Sequence, residues 1–136
     1  MSQTCENAYI MVIEDSTSDI RLLNYCLQSQ NFTGKVAVYN YGYKALEFLR
    51  QEQYDYPRLI LMDIRLPDMD GLELLKNIKK HPTLGNIPVI VWTGQYSGNE
   101  AEKCQKLGAF EYFEKPIDIN NLNDFVKRLS EYWDLS

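Results

Sequence analysis

The sequence has no apolar run long enough to cross a membrane or to form a signal-peptide core; the longest near its start is Ala8 to Ile13. It has no basic excess either. Lys and Arg number 14 against 19 Asp and Glu, a net charge of -5, which opposes a nucleic-acid backbone and points to a protein partner. Cysteines are few, and Cys5, Cys26 and Cys104 are scattered without a CxxC pair, which excludes a disulfide framework and fits reduced thiols in the cytoplasm. The single histidine, His81, precedes Pro82 at the end of a helical pattern, where a solvated imidazole favoured by the helix dipole is expected rather than a metal ligand or a phosphoryl carrier. No internal repeat or low-complexity tract is present.

What is present is a core. Apolar residues make up 45% and aromatics 12% of 136 residues, enough for one domain that buries roughly two thirds of its unfolded surface. The central stretch is Leu59-Ile60-Leu61-Met62-Asp63, a continuous apolar run between Pro57 and Pro67 that ends on a carboxylate. Such a run predicts a strand covered on both faces, with Asp63 at its carboxyl end, where open parallel sheets bind their ligands. A strand-ending aspartate is also an ordinary structural feature, so Asp63 alone decides nothing.

The remaining chain repeats the pattern. Ala8 to Ile13 predicts a strand that ends on Glu14 and Asp15, and Ser16 and Asp19 form a capping signal for a helix carrying Ile20, Leu23, Cys26 and Leu27. Lys35 to Tyr39 predicts a strand, and Tyr43 to Gln51 a helix with Ala45, Leu46, Phe48 and Leu49 on one face. After Asp63, the loop Arg65 to Gly71 leads to a helix capped by Asp70, with Leu72, Leu74, Leu75 and Ile78 inward and Lys76, Lys79 and Lys80 placed for the helix dipole alone. Ile87 to Trp92 predicts a strand ending on Thr93-Gly94. The helix from about Asn99 to Leu107 has only Ala101, Cys104 and Leu107 to bury, the weakest in the chain, as an element that moves requires. Glu111 to Phe113 predicts the last strand, Lys115-Pro116 ends it, and Asp118 caps a helix with Ile119, Leu122, Phe125, Val126, Leu129 and Trp133 on one face.

Five strands alternating with five helices imply an α/β fold: a doubly wound parallel sheet with right-handed crossovers. In such a sheet Glu14, Asp15, Asp63, Thr93 and Lys115 meet at one edge. Three close carboxylates repel one another unless a cation joins them, and hard oxygen ligands favour Mg²⁺ at about 2.1 Å, with Asp15 and Asp63 as direct ligands. Lys115 adds a compact positive charge and Thr93 a hydroxyl. Together they suit a phosphoryl group held covalently on Asp63.

The ordered set Glu14-Asp15, Asp63, Pro67, Asp70-Gly71, Thr93, Gly108-Ala109, Tyr112 and Lys115-Pro116 resembles the receiver domains of two-component response regulators. The likeness spans nearly the whole chain. It implies a flavodoxin-like (βα)5 sheet of strand order 2-1-3-4-5. It also implies Asp63 as phosphoacceptor, supplied by a sensor histidine kinase or a histidine phosphotransfer protein. Mg²⁺ would be held by Glu14, Asp15, Asp63 and the Arg65 carbonyl. Further implications are a cis Lys115-Pro116 bond aiming Lys115 at the phosphoryl, a switch through Thr93 and Tyr112, and a downstream protein target contacted around the fourth helix and fifth strand. Pairing of two copies is a further outcome it allows, although Phe110-Glu111 replaces the acidic pair frequent before the tyrosine. Gly94 stands where alanine is common. Arg65 and Gln95 flank the expected path of hydrolytic water, a placement that would set the phosphate lifetime.

One receiver domain over 1–136, with its core at about 8–133 and no output domain, is expected, because the last helix is needed to cover the sheet. It is expected to act as a phosphorelay module and not as an enzyme. An aspartyl-phosphate enzyme of the haloacid dehalogenase type needs a second acid two residues after the nucleophile, where Arg65 stands. A receiver-like interaction domain that takes no phosphate is disfavoured because every site residue is present. Trp92 and the ten tyrosines are assigned to packing and ordinary amphipathic surface, Tyr112 excepted.

Overall fold

Each sheet strand ends where its apolar run meets a polar residue, and this brings the polar residues to one edge. The computed structural model describes residues 9–51, 56–116 and 118–133. Cys5, Ala8 and Tyr54 lie outside them, as does the side chain of Trp133. The elements are β1 (Tyr9–Ile13), α1 (Thr17–Ser29), β2 (Lys35–Tyr39), α2 (Gly42–Arg50), β3 (Leu59–Asp63), α3 (Gly71–Lys80), a 3-10 turn (Leu84–Asn86), β4 (Val89–Thr93), α4 (Gly98–Lys106), β5 (Glu111–Glu114) and α5 (Ile119–Trp133). The strands form one parallel sheet in the order β2-β1-β3-β4-β5.

Alternate strand residues feed two cores. Met11, Ile13, Ile60, Met62, Val89 and Val91 pack beneath α2, α3 and α4, whereas Ile10, Val12, Leu59, Leu61, Ile90 and Trp92 pack beneath α1 and α5. This two-sided burial explains why β1, β3 and β4 carry uninterrupted apolar runs. Each of these side chains contributes about 1.5–3 kcal/mol relative to exposure, so a charge at Leu61 would dismantle the centre of the sheet. Edge strands β2 and β5 are only partly buried.

The caps follow the sequence signals. Ser16 Oγ accepts from the Asp19 amide, and an Asp70 carboxylate oxygen from Leu72, at 3.4 and 3.0 Å. Helix α2 is capped from outside its own sequence: Asp68 accepts from the amides of Gly42 at 2.8 Å and Tyr43 at 2.9 Å. A Cβ at Gly42 would come within 2.7 Å of Met69, so glycine permits this close approach. As expected, α4 is thinly anchored; only Cys104 is fully buried on it, with Ala101 half-buried.

Two expectations need correction. His81 caps the next turn: its Nδ1 accepts from the amides of Thr83 and Leu84 at 3.1 and 3.2 Å, so the ring is bonded within the chain and not merely solvated. Lys79 is no simple helix-dipole lysine. Its Nζ donates to the carbonyls of Gly85 at 3.2 Å and Ile87 at 2.7 Å, fastening the turn before β4 to α3. Burial lowers its pKa.

Candidate functional site: an acidic pocket at the sheet edge

Strand order reverses between β1 and β3, and the crevice beyond their carboxyl ends is where an open α/β sheet takes its ligand. Glu14, Asp15 and Asp63 meet there, with one ligand atom from each within 4.8 Å of the others. Glu14 and Asp63 are buried and Asp15 is exposed, so the cluster opens outward through Asp15. Glu14 is fixed by its own chain, one carboxylate oxygen accepting from the amides of Asp15 at 3.0 Å and Ser16 at 2.9 Å. Its other oxygen is fully buried beside Lys115.

Lys115 is the counterweight. Its ammonium donates to Asp63 Oδ2 at 2.9 Å and to Asp19 Oδ2 at 3.0 Å, and pairs by charge with Glu14 Oε1 at 2.8 Å. It also stands 5.3 Å from the centre of the buried Trp92 ring, which stacks on Phe125. Burial alone would lower the lysine pKa, but the bonds to Glu14, Asp63 and Asp19 outweigh it and the net shift is upward. Glu14 is also raised, because the cost of burial exceeds what Lys115 returns. The ammonium reaches this position although the Lys115-Pro116 bond is trans, contrary to the cis bond expected. The backbone supplies the aim, since the Lys115 amide donates to the Thr93 carbonyl at 2.6 Å.

The second oxygen of Asp63 accepts from the Arg65 amide at 2.9 Å, so the carboxylate is held at both ends. Thr93 is fully buried, and its hydroxyl accepts from Arg65 Nη1 at 2.6 Å. Tyr112 stands apart from the acids. Its hydroxyl donates to Glu100 at 2.7 Å and accepts from the Ser97 amide at 3.3 Å, both at the start of α4. Burial, followed by the bond to Glu100, pushes the Tyr112 pKa up to about 12. Gln95 is exposed beside Thr93, and the Arg65 side chain is turned toward Thr93 and Glu100.

Glu14, Asp15, Asp63, Thr93 and Lys115 thus meet at the carboxyl edge of the sheet, whereas Tyr112, on β5, is bonded to the start of α4. Sequence reasoning missed Asp19 as a partner of Lys115, having assigned it to the cap alone; its position one turn into the helix behind the acid pair was the available signal. The Arg65 side chain, expected along the path of hydrolytic water, was not expected to reach Thr93 and Glu100, because sequence gives no signal of its direction. On the neighbouring face, Glu111 is bound within the chain, to Arg128 at 3.0 and 3.1 Å and to the Tyr132 hydroxyl. Its charge is therefore not free for a partner.

The donor set suits a hard divalent cation: three carboxylates, two of them buried, and a single ammonium to balance them. Among the described residues, no helix is long and apolar enough to cross a membrane, and Cys26 and Cys104 are unpaired and buried.

Comparison with known proteins agrees with this geometry. Residues 10–127 match the model of the response regulator receiver domain. The chain is 32% identical to a probable methanogenesis regulatory protein, FilR2, of Methanothrix harundinacea, over 91% of this chain and 82% of that protein. It is 31% identical to the response regulator Rcp1 of Synechocystis, over 91% and 87% of the two chains. The Mn²⁺-bound structure of Rcp1 superposes with a TM-score of 0.82 at 30% identity, covering 93% of this chain and 94% of that one. The phosphorylated cyanobacterial phytochrome response regulator RcpA gives 0.84 at 32% identity, covering 94% of both. The chain belongs to the response regulator receiver domain family, whose members are phosphoacceptor modules of signal transduction.

Proposed function

We propose that Asp63 is the phosphoacceptor of this receiver and that Lys115 and a Mg²⁺ ion on Glu14, Asp15, Asp63 and the Arg65 carbonyl make the transfer possible. The observation that carries this reading is the clamped Asp63 carboxylate, with one oxygen on the Arg65 amide and the other on Lys115 inside a three-acid cluster. Receipt from a kinase or phosphotransfer protein breaks the phosphorus–nitrogen bond of a phosphohistidine as a carboxylate oxygen bonds to phosphorus; the imidazole leaves with the bonding pair. Phosphoryl transfer asks mainly for alignment and charge neutralisation. The amide and the ammonium provide alignment here, because they leave Asp63 little rotational freedom. Mg²⁺ would neutralise the acids and the phosphoryl oxygens.

Thr93 and Tyr112 form the switch in this reading, which is supported by their positions at the ends of β4 and along β5. The output surface is the α4–β5 face. A hollow of about 270 Å³ lies there, lined by Ala101, Gln105, Ala109, Phe110, Glu111 and Tyr112, so a change in Tyr112 alters its wall. Phosphate acts only through its different free energies in the two conformers, and some activity without it follows. The chemistry is one stoichiometric transfer followed by slow self-dephosphorylation, in the cytoplasm, with no turnover of an outside substrate.

Incubation with acetyl phosphate and Mg²⁺ tests the reading. Intact mass is expected to rise by one phosphoryl group in the wild type and not in Asp63→Asn. An unchanged wild-type mass under conditions that label a control receiver would reject it.

A further inference from the structure

Phosphoryl transfer at Asp63 draws on the backbone of Arg65, its amide and its carbonyl, yet the guanidinium joins the two switch residues. Nη1 donates to Thr93 Oγ1 at 2.6 Å and Nη2 lies 3.7 Å from Glu100 Oε2, while Glu100 Oε1 accepts from the Tyr112 hydroxyl at 2.7 Å. Thr93, Arg65, Glu100 and Tyr112 therefore form one unbroken chain from the site to α4. We propose that Arg65 is a positioning residue, a latch that ties Thr93 to Tyr112 through Glu100 in the resting protein and lets go when Asp63 carries a phosphoryl group. The proposal rests on the phosphoacceptor reading.

Three observations support release. The acceptor on Thr93 is a neutral hydroxyl, whereas a phosphoryl group offers charged oxygens, for which a guanidinium has the greater affinity. The Arg65 amide already lies 2.9 Å from Asp63 Oδ1, so the side chain starts beside the site and needs only a rotamer change. The pair with Glu100 is long, and the arginine side chain is 54% exposed, so the tie is weak enough to break.

Release has an effect because α4 has little else to hold it. With one fully buried side chain, the helix depends on its first turn, where Ser97 Oγ accepts from the Glu100 amide at 3.3 Å and the Ser97 amide donates to Tyr112 at 3.3 Å. Freeing Glu100 loosens the acceptor of the Tyr112 hydroxyl, and the ring gains the freedom that a switch residue needs.

Amide hydrogen exchange over residues 97–101 tests this, on full-length wild type, Arg65→Ala and Glu100→Gln with Mg²⁺, before and after addition of beryllofluoride. In the resting state both variants are expected to exchange about two- to fivefold faster than wild type, the range that a half-exposed pair permits. Beryllofluoride is expected to bring wild type to the variants' rate and to change the variants less than twofold. Resting variants that exchange at the wild-type rate would overturn the latch, as would variants that respond to beryllofluoride as fully as wild type. If wild type binds no beryllofluoride, the phosphoacceptor reading fails, and the resting rates still decide whether the latch exists.

Discussion

The Lys115 ammonium lies as close to Asp19, at 3.0 Å, as to Asp63, at 2.9 Å, although Asp19 comes 96 positions earlier in the chain. Asp19 thus holds the lysine from the α1 side while Glu14 holds it from below. Asp19→Asn keeps a side chain of the same size but removes the charge. Its carboxylate is partly exposed, so the pair is worth about 0.2–1 kcal/mol, and labelling by acetyl phosphate is expected to slow by about two- to fivefold. Timed intact-mass spectra check this; an unchanged rate would mean that Glu14 and Asp63 suffice.

Removal of Lys115 itself has a larger effect. Lys115→Ala leaves Glu14, fully buried, without its cationic partner, and breaking a buried pair costs about 3–5 kcal/mol. Urea unfolding without divalent ions is expected to show that loss. Added Mg²⁺ is expected to recover part of it, because the ion supplies positive charge to the same acids. Labelling is expected to fail with or without recovered stability.

Tyr112 gives a pH signature. Its pKa is raised from 10 to about 12 by burial and Glu100, so its contribution to stability is complete below pH 10 and is lost as pH rises toward 12. An ultraviolet tyrosinate titration is expected to show a late-ionising group that Tyr112→Phe removes. Tyr132, raised to about 12 by burial and Glu111, titrates late as well and stays in that variant.

Gly94 needs no glycine on steric grounds, since a Cβ there meets nothing within 4 Å. Gly94→Ala is expected to stabilise the chain by about 0.4–1 kcal/mol, through the unfolded state, without loss of labelling. A destabilised protein in urea unfolding would show that the loop uses conformations closed to alanine.

The fold was legible wherever burial acts on both faces of a strand. The runs in β1, β3 and β4 announce themselves because two-sided burial permits no polar interruption, and their ends place Asp15, Asp63 and Thr93 by topology alone. What stayed hidden depends on side-chain direction across long separations. Asp68 caps a helix 25 and 26 positions away, Arg65 reaches Thr93 across 28, and Lys79 spends its charge on carbonyls that no periodicity marks. Each residue type is equally at home on a solvated surface, so pattern offers no reason to turn it inward.

The central claim is that the phosphoryl group is carried by one carboxylate among several close neighbours. Borohydride reduction of the acetyl-phosphate-treated protein converts an aspartyl phosphate to homoserine, and peptide mapping then locates it. Homoserine at position 63 alone is the predicted result; homoserine at position 15 or 19 instead, or at no position in a protein shown to be labelled, would contradict it.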